Sequence, residues 1–213
     1  MAKVMGKHAQ SVDKLVLDRI KKYGPGWVFT PADYSDLGSR TAVSTALKRY
    51  KASGVIRQLA RGLYDVPRKD DQLGVLSPST EAIVEAIKNR DSVRLQPTGA
   101  YAANMLGLTE QVPMRVFFLT DGPVRKIKLG KRQITFKNTT PRNMATAGRI
   151  SGLVIQALRW LGKVHVDEDI LQQLRTRLDD DAKKQLLADV RHAPIWIAEI
   201  MREIADNPAK PRK

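Results

Sequence analysis

The stretch "TPADYSDLGSRTAVSTALKRYKASGVIRQLARGLYDVP", residues 30–67, constrains the fold most, because its breaks and its periodicity fix the length of each element it contains. Thr30 stands at an N-cap position, and Pro31 follows at the first helical position, where a missing N–H costs nothing. The short helix opened there stops at Gly38. Ser39 caps a longer helix in which Val43, Ala46, Leu47 and Tyr50 recur at helical spacing as one apolar stripe, and Gly54 ends it. "VIRQL" and "LYDV" then flank Ala60-Arg61-Gly62 and read as a hairpin. Upstream, "SVDKLVLDRIKKYG" places Val12, Leu15, Val16 and Ile20 on one helical face, with Ser11 as cap and Gly24 as stop.

Helix, short helix, tight glycine turn, helix, hairpin is the order of a winged helix-turn-helix, predicted here over residues 1–68. With its apolar stripe inward, the third helix turns Arg40, Thr41, Ser44, Thr45, Lys48 and Arg49 outward. Arg and Lys donate to guanine edges or phosphates, and Ser and Thr suit bases or backbone. Arg57 and Arg61 fall where a wing would meet the phosphates or the minor groove. Residues 1–68 carry 13 Lys and Arg against 5 Asp and Glu, a net of +8, within a chain of 213 residues and net charge +15. Double-stranded DNA is the expected partner. The plainer alternative is a basic, solvated helix on a protein-binding module.

After "RKDDQLGVLSP" the composition shifts, which predicts a linker over 69–76 and a second domain over 77–207, with a basic tail at 208–213. That domain opens with a helix in "STEAIVEAIKNR", a short strand at "VRLQ" and a helix in "TGAYAANMLG". "RVFFLT", "VRKIKL" and "QITFKN", separated by Asp121-Gly122 and Gly130-Lys131, predict a three-stranded antiparallel meander. Alternation sets Ile127 and Leu129 against Lys126 and Lys128, and Ile134 and Phe136 against Lys137. From Gly122 to Val166 there are ten Lys or Arg and no Asp or Glu, which suggests either a second nucleic-acid surface or a solvated outer face. The remaining segments are helical, so the expected fold class is α+β.

Catalytic signals are sparse. His8, His165 and His192 are scattered, the chain has no cysteine, and no phosphate-cradling or dinucleotide-binding glycine loop occurs. Asp179-Asp180-Asp181 reads as a capping run, and Asp121 as a turn residue. The expectation is a protein that is not an enzyme, with no cofactor and no metal. No leader-like apolar run precedes a cleavage site and "ISGLVIQALRWLG" is interrupted by Gly152, Gln156 and Arg159, so a cytoplasmic location without membrane contact is expected.

"RGLYDVP", "LQPTGAYAANMLGLTEQVP", "FFLTDGPVRKIKLGKRQITFKNT" and "VIQALRWLG", in this order, resemble the AbiEi-type antitoxins of bacterial abortive-infection toxin-antitoxin systems, over roughly residues 10–200. The resemblance implies an N-terminal winged helix-turn-helix that represses its own operon at repeated operator sequences. It also implies a C-terminal domain that counteracts a nucleotidyltransferase toxin encoded alongside, without a stable complex (the type IV arrangement). Lys126, Lys128, Lys131, Arg132 and Lys137 are the candidates for that antitoxic surface. Asn104, within the family's most recognisable segment, is expected to satisfy neighbouring backbone groups. Two alternatives stay open: a nucleic-acid-dependent enzyme or RNA-binding accessory delivered by the winged domain, and a scaffold that binds a protein partner.

Overall fold

A computed structural model describes residues 11–206, so His8 and the tail at 208–213 lie outside the described residues. The fold is α+β, and the chain divides into two compact units, residues 1–91 and 92–213.

The first unit runs α1 (Val12–Tyr23), β1 (Val28–Phe29), a 3-10 turn (Pro31–Tyr34), α2 (Arg40–Ala52), β2 (Arg57–Ala60), β3 (Leu63–Asp65), β4 (Arg68–Asp70), β5 (Gly74–Leu76) and α3 (Thr80–Asp91). Ser11 caps α1 by accepting from Lys14 N, and Ser39 caps α2 by accepting from Ala42 N. The second expected helix is only the 3-10 turn, where Asp33 returns a carboxylate oxygen to the Thr30 N–H at 2.7 Å. Gly38 closes the turn before α2 with φ +152°, and a Cβ there would run into Val12 of α1 at 2.6 Å. The three short strands β1, β3 and β2 form an antiparallel sheet in that order. Val16, Ile20, Phe29, Tyr34, Val43, Leu47 and Ile56 are all buried in one core. Each fully buried side chain of this size contributes about 1.5–3 kcal/mol.

Residues 69–76 are not an open linker. β4 and β5 pair antiparallel, and the turn between them is held by Asp70, whose Oδ1 accepts from Gln72 N and Leu73 N, both at 2.9 Å. The Asp-rich stretch that read as linker composition is therefore a side-chain-stapled turn. α3 packs alongside β1, so the division falls after Asp91 instead of near residue 70.

The second unit contains β6 (Leu95–Thr98), α4 (Ala100–Met105), β7 (Arg115–Thr120), β8 (Arg125–Leu129), β9 (Arg132–Asn138), α5 (Pro141–Met144), α6 (Ile150–Leu161), α7 (Glu168–Arg177), α8 (Asp180–Asp189) and α9 (Ile195–Asp206). The expected meander is corrected to a four-stranded mixed sheet of order β6-β7-β9-β8, in which β7 and β9 are parallel. β9 supplies the apolar Ile134 and Phe136, 2% and 1% exposed, and takes the interior place, while the lysine-bearing β8 takes the edge. The segment after β7 crosses the end of β9, where Asn138 Nδ2 donates to Gly122 O at 2.8 Å. α6 is buried around most of its circumference. Its polar groups are matched there, with Ser151 donating to Asp189 and Gln156 Oε1 accepting from Thr98 Oγ1 at 2.8 Å. Arg175, 5% exposed, ties α7 to α9 through Glu203 at 2.8 Å and also engages Glu168 at 2.6 Å.

Candidate nucleic-acid interface

α2 is held from behind by Val43, Ala46, Leu47 and Tyr50, and the Tyr50 hydroxyl donates to Asp13 Oδ2 on α1 at 2.8 Å. Arg19 fixes the preceding turn, gripping Asp36 with two hydrogen bonds of 2.7 and 2.6 Å. The Arg19 guanidinium holds the Asp36 carboxyl below the usual carboxylate range. With α1, the turn and α2 locked together, the outer face of α2 has a fixed orientation.

The predicted outward residues divide into two groups. Arg40, Thr41, Ser44 and Lys48 are exposed, and neither Arg40 nor Lys48 has a hydrogen bond or ion pair within the described residues. Thr45 turns its hydroxyl back to Thr41 O at 3.0 Å, and Arg49 pairs with Asp13 while its guanidinium lies over the Tyr50 ring at 5.9 Å. Along the helix Arg40 and Lys48 are eight residues apart, about 12 Å at 1.5 Å per residue.

At the hairpin the two arginines also part company. Arg61 is exposed at the turn. Arg57 instead grips buried Asp65, with Nε to Oδ1 at 3.0 Å and Nη2 to Oδ2 at 2.6 Å, and donates to Leu76 O at 3.0 Å. Arg57 thus staples the hairpin to the end of β5 and does not project as a wing contact. Lys51, which sequence reasoning passed over, donates to Gln58 on β2 at 2.6 Å and anchors the hairpin to α2. A cavity of about 450 Å³ opens beside Arg40, with walls from Pro31, Tyr34, Val43, Gly62 and Arg90. The Tyr34 hydroxyl has no hydrogen-bond partner, and burial pushes its phenol above the usual range.

The second basic surface lies on the sheet of the second unit. The register sets Lys126 opposite Thr135, Lys128 opposite Gln133 and Phe117 opposite Thr135, so Arg115, Phe117, Lys126, Lys128 and Lys137 share one face. The lysines and Arg115 are exposed, and the Lys137 ammonium sits 4.2 Å from the Phe117 ring centroid. Arg132 has the parity of Ile134 and Phe136 and faces the other way, while Lys131 lies in the turn. The five cations grouped by sequence are therefore three, one and one. Arg115 and Phe117 were missed, because only the parallel β7–β9 register brings them beside the lysines.

Other groups with catalytic potential have structural roles. Asp179 caps α8 by accepting from Ala182 N at 2.8 Å, and Asp121 receives both Arg94 N and Nε, at 2.9 and 2.8 Å. Asn104 Nδ2 donates to Thr109 O at 3.1 Å. The exposed His165 ring meets Leu161 O at the end of α6, at 2.9 Å. Among the described residues no group of three or more His, Asp or Glu side chains is disposed to hold a metal, and no helix is long and apolar enough to cross a membrane.

No curated protein matches the chain. Among solved structures, the chain is similar to the Rv2827c protein from Mycobacterium tuberculosis, at 15% identity and a TM-score of 0.48, over 94% of this chain and 79% of that one. A model of a family of unknown function, DUF6088, matches residues 15–186, and the chain belongs to that family.

Proposed function

We propose that the protein is a DNA-binding autorepressor and not an enzyme. Its first unit is a winged helix-turn-helix with α2 as recognition helix, and its second unit carries the antitoxic role implied by the resemblance to AbiEi-type antitoxins. The observation that carries the reading is the state of the α2 surface: two cations, Arg40 and Lys48, are exposed and unpartnered with Thr41 and Ser44 between them, on a helix locked from behind. An α-helix, about 10–12 Å across with its side chains, fits the major groove, about 12 Å wide, and an unpartnered Arg is the side chain best suited to guanine O6 and N7. Arg61 at the hairpin turn supplies a phosphate or minor-groove contact beside the helix.

The test is retardation of duplex DNA from upstream of the protein's own gene by the full chain, with random duplex as competitor. Specific retention of the upstream DNA is expected. Equal competition by random duplex would reduce α2 to a non-specific basic surface. The antitoxic role is tested separately, by rescue of growth when the chain is co-expressed with a neighbouring nucleotidyltransferase-like gene.

A further inference from the structure

We propose that the sheet of the second unit is a binding site for a single strand of nucleic acid, with a base stacked on Phe117 and phosphates drawn to Arg115, Lys126, Lys128 and Lys137. The inference is independent of duplex binding by α2. Its first support is placement: the strand register sets all five side chains on one face. The second is charge. No Asp or Glu occurs from Gly122 to Val166, so the lysines of this face find no counter-charge in their own segment, and an arriving polyanion relieves their mutual repulsion.

The third support is Phe117 itself. Phe29, Phe118 and Phe136 are 0%, 3% and 1% exposed, whereas Phe117 is only half-buried and points to the charged side. The Lys137 ammonium now occupies the ring face at 4.2 Å. A nucleobase brings its own π-face to that position and its backbone brings an anion for the displaced ammonium, so one ligand satisfies both partners. Neighbouring strands lie about 4.8 Å apart, which puts Phe117 and Lys126, on either side of Thr135 at the same level, about 10 Å apart. Duplex bases are stacked inside and unavailable to such a ring, while a single strand can splay a base onto it. An acidic protein would use the lysines but leave Phe117 without a role.

The experiment uses the full chain carrying Arg40→Ala and Lys48→Ala, which removes the proposed duplex contacts. Labelled oligouridylate and oligothymidylate of about 12 nucleotides are titrated at several salt concentrations. Lys126→Gln, Lys128→Gln and Lys137→Gln together should lower the slope of log K against log salt by about two units, at about 0.7 per phosphate contact. Phe117→Leu should weaken binding about tenfold at every salt concentration and leave the slope unchanged. The tighter of the two strands names the natural one as RNA or DNA.

Polyglutamate competing as well as the oligonucleotides, or Phe117→Leu without effect, would overturn the proposal in favour of an acidic protein partner. If Phe117→Leu fails to fold, the unaltered sheet still decides. Ultraviolet crosslinking of oligouridylate should label the tryptic peptide from Val116 to Arg125, and labels confined to other peptides would sink the idea.

Discussion

The outer face of α2 and the charged face of the sheet are both basic, but they are built on different periods and leave their cations in different states. On α2, Arg49 is tied to Asp13 and Lys51 to Gln58, so among the described residues only Arg40 and Lys48 are left without a partner, on a convex cylinder with hydroxyl groups between them. On the sheet, alternation spreads Lys126, Lys128 and Lys137 over two adjacent strands, on the side to which the partly buried Phe117 ring also points. The two proposed partners differ accordingly: a duplex groove for the stripe with small polar groups, and an unpaired strand for the lysine field with an aromatic. Net charge alone would have called the two surfaces equivalent.

The sharpest test of whether each is a true surface compares neighbours that point in opposite directions. Phe136→Ala should cost about 3–5 kcal/mol and Leu47→Ala about 2–5 kcal/mol, because both side chains are at most 1% exposed and their loss leaves cavities. Lys137→Ala and Lys48→Ala, one residue away in each case, should stay within about 0.5 kcal/mol. Urea unfolding of the four variants checks this. A Lys137→Ala variant as damaged as Phe136→Ala would make the lysine a structural cover for Phe117, and the comparison would lose its second member.

Operator affinity provides the next contrast. Arg40→Ala and Lys48→Ala should each weaken binding to upstream DNA by about 1–3 kcal/mol where the side chain grips a base, with a smaller loss on random duplex. The triple lysine variant of the sheet should leave operator binding and repression intact. Equal losses on both DNAs, or loss of repression from the sheet variant, would merge the two surfaces into one unspecific field.

The two hairpin arginines separate structure from contact in the same way. Arg57→Ala should destabilise the first unit by about 1–3 kcal/mol, since it leaves Asp65, 1% exposed, without its charged donor. Arg61→Ala should leave the melting temperature unchanged and flatten the salt dependence of duplex binding by about one unit. A reversal of these two phenotypes would mean that Arg57 leaves Asp65 for the DNA.

The pattern of what was legible follows from how far each interaction reaches along the chain. The caps Ser11, Ser39 and Asp179 bond three residues ahead, so sequence spacing alone located them. The inward and outward sides of β8 were equally plain, because alternation is local, whereas β9, interior to its sheet, also buries Thr135 on the lysine side. Strand order was not, since alternation says which side a residue faces and nothing about its neighbour. The parallel β7–β9 pairing, and with it Arg115 and Phe117, stayed hidden. Arg57 was misjudged for a related reason. Its charge was read alone, although the short hairpin sets it directly across from Asp65.

The smallest expected effect concerns the carboxylate nearest the charged sheet face in sequence. Asp121 precedes the acid-free run, and were it directed at the lysines it would neutralise part of their field. It is committed to Arg94 instead, and the hydrogen-bonded guanidinium holds its carboxyl below the usual range. A carboxyl depressed in the folded state stabilises above its unfolded pKa, near 4, and loses that contribution as pH falls through the lower folded value. The pair is exposed enough for solvent to screen it, so Asp121→Asn should cost less than about 1 kcal/mol at neutral pH, a deficit that shrinks at strongly acid pH as the native carboxyl takes up its proton. Urea unfolding of both proteins at the two pH values measures it. Asparagine can still accept from Arg94 N, so a deficit unchanged by acid would have to come from the turn geometry and not from charge. Oligonucleotide affinity gives the matching control: it should not rise in Asp121→Asn, because a carboxylate already occupied by Arg94 subtracts nothing from the lysines. A clear gain would show that Asp121 does shield the face, which would weaken the contrast between a partly compensated helix and an uncompensated sheet.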